Sequence, residues 1–120
     1  MLKIQTIRIY QHSQPQGYRI LVDRLWPRGI SKIQAHLDYW AKDLAPSPAL
    51  RRWFNHDPEK FETFQIRYQS ELQQNPAQKA FVDLVQQQLA QQDVLLLYAA
   101  KDTQHNQALV LQHFLQAALI

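Results

Sequence analysis

The chain has no cysteine in its 120 residues. That absence excludes disulfides, thiolate metal sites and cysteine nucleophiles, and it fits a reducing compartment. Glycine is nearly absent too. There are two, with no GxGxxG and no Walker loop, which argues against a glycine cradle around nucleotide phosphates. Histidines stand at 12, 36, 56, 105 and 113, none in an HExxH pattern, so no metal site is expected. The serines at 13, 31, 47 and 70 lie outside any nucleophile elbow, and no motif calls for a cofactor. No apolar run approaches the ~20 residues of a membrane span, and no charged-then-apolar leader opens the chain. These absences predict a cytoplasmic protein of bacterial type with no membrane partner.

What is present is an ordinary globular mixture, 46% hydrophobic and 19% charged, which excludes a disordered chain. Residues 1–120 suffice for one domain, which should bury roughly two-thirds of its unfolded surface. The net charge of +3 is small, and the basic residues are scattered among acids, with Arg51-Arg52 the sole adjacent pair. A mildly basic surface accounts for this without a nucleic-acid partner.

Along the chain, residues 1–10 are rich in β-branched side chains and read as a first strand, and 18–22 as a second. Pro27 and Gly29 end the segment that follows it. Ser31 can cap a short helix over 32–36, whereas 37–44 is ambiguous, its alternation of Leu37, Tyr39 and Ala41 with Asp38, Trp40 and Lys42 suggesting a short strand. Ser47-Pro48, Asp57-Pro58 and Asn75-Pro76 each pair a capping residue with a proline at a first helical position. The helix after Pro58 places Phe61, Phe64, Tyr68 and Leu72 on one face, with Arg67 and Glu71 as a helical ion pair. Residues 94–98 are almost continuously apolar, as in a central parallel strand, and Thr103 can cap a last helix running to about Ala118. This order predicts an α/β domain with a small, mostly parallel sheet flanked by helices in three layers.

Two segments carry the candidate chemistry. In DRLWPRG at 23–29, Arg24 and Arg28 offer forks suited to carboxylate or phosphate, and Trp26 offers a face for stacking. A structural alternative pairs Asp23 with an arginine while Trp26 fills a core. In the segment after the last strand, Lys101, Asp102, His105 and Asn106 are expected at a helix start, where free backbone donors favour an anion and a neutral His105 could act as base. There too the alternative is a plain helix cap. If the second and last strands are parallel neighbours, Arg28 and Lys101 emerge at one edge. Arg51, His56 and Arg67 form a weaker third set.

DRLWPRG at 23–29, WAKDLAPSPALRRWFNHDP at 40–58 and LLYAAKDTQHNQA at 96–108 resemble the domain-of-unknown-function family 488 (DUF 488), in its short YeaO-like branch. The resemblance spans nearly the whole chain and implies a single small cytosolic α/β domain without an established activity to transfer. It places the family's recurring polar positions at Asp23, Arg24, Arg28, Lys42, Asp43, Arg51, His56, Asp57, Lys101, Asp102, His105 and Asn106. Longer relatives carry cysteines near the end of the last strand. This chain has Tyr98 and Ala99 there, so no thiol mechanism carries over.

The leading expectation is a site for a small anionic ligand, phosphate- or nucleotide-like. Arg24, Arg28, Lys101 and Asn106 would bind it, Trp26 would stack, and Asp23, Asp102 and His105 would move protons. The alternative is a non-catalytic module for nucleic acid or protein. A third possibility keeps the same charges purely structural.

Overall fold

Val94–Tyr98 reads VLLLY, and all five residues are buried. A strand with no polar face has to be covered on both sides, which puts it inside a sheet. The computed structural model describes residues 2–119. With Ile4–Arg8 as β1, Tyr18–Leu21 as β2, Tyr39–Trp40 as β3 and Val94–Tyr98 as β4, the sheet order is β1-β4-β2-β3. Every pairing is parallel, and β4 is flanked on both edges, from Ile4 opposite Val94 and from Tyr18 opposite Val94. The expected small parallel α/β fold is thus the observed one.

Alternation along the strands splits the interior unequally. Val94, Leu96 and Tyr98 join Ile4, Ile20 and Val22 in a large core, against Phe64, Tyr68, Leu72, Phe81, Val85, Leu111 and Leu115. These come from α3 (Phe61–Gln74), α4 (Gln78–Leu89) and α5 (Gln107–Ala118), with Leu50 and Phe54 from α2 (Pro48–Phe54). Leu95 and Leu97 face the other way, into a small core of Ile7, Ile9, Leu21 and Ala35. That face is covered only by the four-residue α1 (Lys32–Ala35) and by loop side chains including Trp26, Ile30 and Trp40. The third layer is real but thin.

Local chemistry sets most boundaries. Ser31 and Gln34 form a reciprocal capping box on α1, and Ser47 caps α2 with Pro48 at its first position. Gly17 sits where the chain turns into β2. A Cβ there would lie 2.7 Å from the Asp93 carbonyl, the oxygen that accepts the Tyr18 N–H.

Five expectations are corrected. The first strand is confined to Ile4–Arg8, with residue 1 outside the described residues. The short strand suggested within 37–44 is present but narrowed to the two-residue β3, followed by a 3-10 turn at Lys42–Leu44, because Ala41 and Leu44 turn inward instead of continuing the ladder. Asn75 terminates α3 and accepts from the Ala77 N–H, so α4 starts at Gln78. Arg67 and Glu71 do not pair. The Arg67 guanidinium lies over the Trp53 ring at 4.5 Å, while the Glu71 carboxylate accepts from the Ser47 N–H and hydroxyl. Thr103 does not cap the last helix: α5 starts at Gln107, and Asn106 caps it by accepting the Leu109 N–H.

Candidate functional site

Because β2 and β4 are parallel neighbours, the loops at 22–29 and 99–106 leave the sheet at the same edge. Carboxyl ends of adjacent parallel strands are where open α/β sheets form clefts. A pocket of about 290 Å³ lies there. Its lining runs from the buried Phe54, Phe64 and Asn106 to the exposed Arg28, Arg51 and His56. No serine, threonine, cysteine or lysine lines it.

Asp23 occupies the inner part, two residues beyond the end of β2. One carboxylate oxygen accepts from the Ala99 N–H at 2.9 Å and the other from the Gln107 side-chain amide. Burial pushes its pKa up to about 6, and the two donated hydrogen bonds oppose that rise without cancelling it. The sequence alternative of an Asp23–arginine salt bridge is not formed. Among the described residues the one ion pair is His105–Asp102.

The other members of the 23–29 segment divide their roles. Arg24 donates to the carbonyls of Ala45 and Pro46 at 3.2 and 3.3 Å, tying the β2 loop to the segment before α2. The Trp26 indole donates to the Ile30 carbonyl at 2.6 Å, and its ring meets Trp40 edge-on at 5.3 Å. Trp26 therefore braces the thin layer while exposing one part to the pocket. Arg28 is exposed at the pocket mouth, held there through its carbonyl, which accepts from the Tyr10 hydroxyl at 2.6 Å.

After β4 the geometry differs from a helix start. Asp102 accepts from the N–H groups of Gln104 and His105 and from the His105 ring nitrogen at 2.9 Å. These bonds, led by the Gln104 N–H, hold its pKa below the usual carboxylate range. His105 precedes α5 and packs edge-on against Phe61 at 5.2 Å, so the dipole argument for its ring loses its basis. Lys101 is exposed, and Lys101, Asp102 and His105 do not line the pocket. What this loop gives to the pocket is Ala99, Ala100, Asn106 and Gln107. Arg8 holds the loop from β1, donating to the Ala99 and Ala100 carbonyls.

The pocket lining thus includes Asp23, Arg24, Trp26, Arg28 and Asn106, and does not include Lys101, Asp102 or His105. It adds Arg51 and His56, which the sequence had ranked lower. Asn55 and His56 are left-handed (φ 47° and 56°) where α2 ends, and the Asn55 N–H donates to the carbonyl of Arg51. Gln107 went unnoticed, since one glutamine among many on helix surfaces gives no local signal. Among the described residues no cluster of three or more His, Cys, Asp or Glu could hold a metal ion. No helix among the described residues is long and apolar enough to cross a membrane.

Residues 3–120 match the family model described as "Inactive DUF488-N3 subclade". The chain is 42% identical over 118 residues to the uncharacterized protein YeaO of Escherichia coli K12, covering 97% of this chain and 99% of that protein. It is 45% identical over 76 residues to the uncharacterized proteins Mb3100c of Mycobacterium bovis and Rv3073c of Mycobacterium tuberculosis, covering 62% of this chain and 64% of each. No solved structure matches it.

Proposed function

The chain belongs to the DUF488 family, and from that premise we propose that it binds a small anionic ligand, phosphate- or nucleotide-like, in the pocket between the β2 and β4 loops. The observation that carries this is the pocket mouth. Arg28, Arg51 and His56 all line the pocket and are exposed, and none has a carboxylate partner among the described residues. Unpaired guanidinium groups beside an enclosed apolar volume favour a planar or tetrahedral anion. Within this reading Asp23 faces the ligand from the inner end, Arg24 and Trp26 hold the walls, and Asn106 fixes the start of α5. Asp102 and His105 shape the neighbouring turn, and Lys101 lies outside the contact set.

Binding without turnover is the form favoured here. The matched family model is described as inactive, and the pocket lining offers no hydroxyl of serine or threonine as nucleophile. The cytoplasm is the compartment this reading assumes.

The test is a thermal-shift titration with inorganic phosphate, ribose 5-phosphate, nucleoside monophosphates and short oligonucleotides. Phosphate compounds should stabilise the protein, by about 2.7 kcal/mol at a hundredfold excess over Kd. Arg28→Ala and Arg51→Ala should lose that shift, and Lys101→Ala should keep it. Stabilisation by oligonucleotides alone, fading steeply with salt, would favour a nucleic-acid module instead. No shift with any anion would end the proposal.

A further inference from the structure

The inner end of the pocket has a polarity opposite to its mouth. Asp23 accepts one hydrogen bond on each carboxylate oxygen, from Ala99 and from Gln107. A carboxylate has about four lone-pair positions, so two remain unused. Among the described residues no cation forms an ion pair with it, and Arg24 directs its Nε and Nη2 to the carbonyls of Pro46 and Ala45. Gln107 turns its NH2 toward Asp23, which leaves its carbonyl oxygen as a further acceptor. Asn106 gives its oxygen to the Leu109 N–H and one of its two N–H donors to the Asp102 carbonyl.

The inner end is therefore rich in acceptors and poor in donors. An enclosed carboxylate without a counter-charge is unfavourable, and a ligand that brings donors relieves it. Phe54, Phe64, Pro27, Ala99 and Ala100 line the same pocket and make it mostly apolar. At about 290 Å³ the space is at the lower limit of the ~300–1,000 Å³ usual for ligand pockets. It suits one ring and one anionic group, not a dinucleotide.

We infer that the ligand is bipolar, with N–H donors read by Asp23 at one end and its anionic group held by Arg28 and Arg51 at the other. This rests on the anion-site reading above and adds the chemical class of the opposite end. Two sources share that chemistry: a planar base edge with adjacent N–H and NH2 groups, as in guanine, or an ammonium group on a sugar phosphate.

Calorimetric titration of the intact chain with ribose 5-phosphate, GMP and glucosamine 6-phosphate separates them. Either GMP or glucosamine 6-phosphate should bind ~10-fold or more tightly than ribose 5-phosphate, as expected for one charge-assisted hydrogen bond. Whichever gains identifies the donor. Asp23→Asn should erase that advantage, bringing the favoured ligand to within about twofold of ribose 5-phosphate measured on the same variant. The substitution is tolerable, since Gln107 can rotate its amide to face the new NH2. Should the variant fail to fold, the comparison of the three ligands on the unaltered chain still decides. Equal affinities for all three would overturn the donor assignment and leave the anion site standing. An advantage that survives in a folded Asp23→Asn would do the same. Failure of every phosphate to bind would overturn the anion site, and this inference with it.

Discussion

Two aspartates follow two neighbouring parallel strands, and their surroundings drive them in opposite directions. Asp23, just beyond β2, is enclosed by the pocket, and burial raises its pKa to about 6. Asp102, four residues beyond β4, stands in a turn with its side chain 32% exposed, where donated N–H groups lower its pKa. Both accept backbone hydrogen bonds. The difference is whether water is excluded around them, because desolvation penalises the ionised form more than two good hydrogen bonds repay. A strand-end aspartate is thus a ligand-facing acceptor in one loop and a turn-former in the other.

The strongest way to break this contrast is through pH. Asp23 binds its proton more tightly in the folded chain than in the unfolded one. Its contribution therefore favours the fold below about pH 4 and is lost as the pH rises through about 6. The shift from 3.8 to about 6 corresponds to on the order of 3 kcal/mol. Arg24 and the buried Tyr68 lie near enough to sense the same charges, and Arg28, Arg51 and His56 line the same pocket. In Asp23→Asn, urea unfolding between pH 4 and 7.5 should show a correspondingly smaller loss of stability than in the parent chain. Parallel pH profiles would mean that the pocket does not isolate Asp23 from water.

A smaller effect tests where α5 begins. Asn106→Ala removes the cap on the Leu109 N–H and the bond to the Asp102 carbonyl, and should cost about 1–2 kcal/mol in chemical denaturation. Thr103→Ala should stay within about 0.5 kcal/mol. Equal losses would restore Thr103 as the cap.

The smallest effect belongs to Asp102. Its lowered pKa gives stability that is present above about pH 4 and lost as the pH falls through the depressed value. Asp102→Ala should differ from the parent in melting temperature at pH 7 and converge with it in strong acid. Phosphate binding should survive the change. Loss of binding without unfolding would return Asp102 to the site.

The outline of the fold was legible for specific reasons. VLLLY has no polar face, so its central place follows from burial alone. Ser47-Pro48 and Ser31 with Gln34 carry their capping chemistry within a few residues. β3 was legible as a short alternating stretch within 37–44, but its two-residue extent was not, because so few side chains do not define where a period stops. The start of α5 was misplaced because Asp102, Thr103 and Asn106 all have capping side chains, and only Asn106 is positioned to reach the Leu109 N–H. At the site, the loop after β2 was identified, yet Arg24 and Trp26 turned out to be largely committed to carbonyls of the chain itself. Partners such as Ala45 and Ile30 carry no mark in the sequence.

By itself the sequence determined what depends on neighbours along the chain: the strands with continuous apolar runs, the helical starts at Ser47-Pro48 and Asp57-Pro58, and the two charged loops at strand ends. The tertiary structure decided what depends on distance through space. It set Asp23 of the β2 loop against Ala99 and Gln107 of the β4 loop, 76 and 84 residues away, and it drew Arg51 and His56 to the mouth that Lys101 does not reach. The physical reason is that hydrogen-bond partners and solvent exclusion are properties of assembled surfaces, and the same aspartate is driven up or down in pKa according to which surface closes over it.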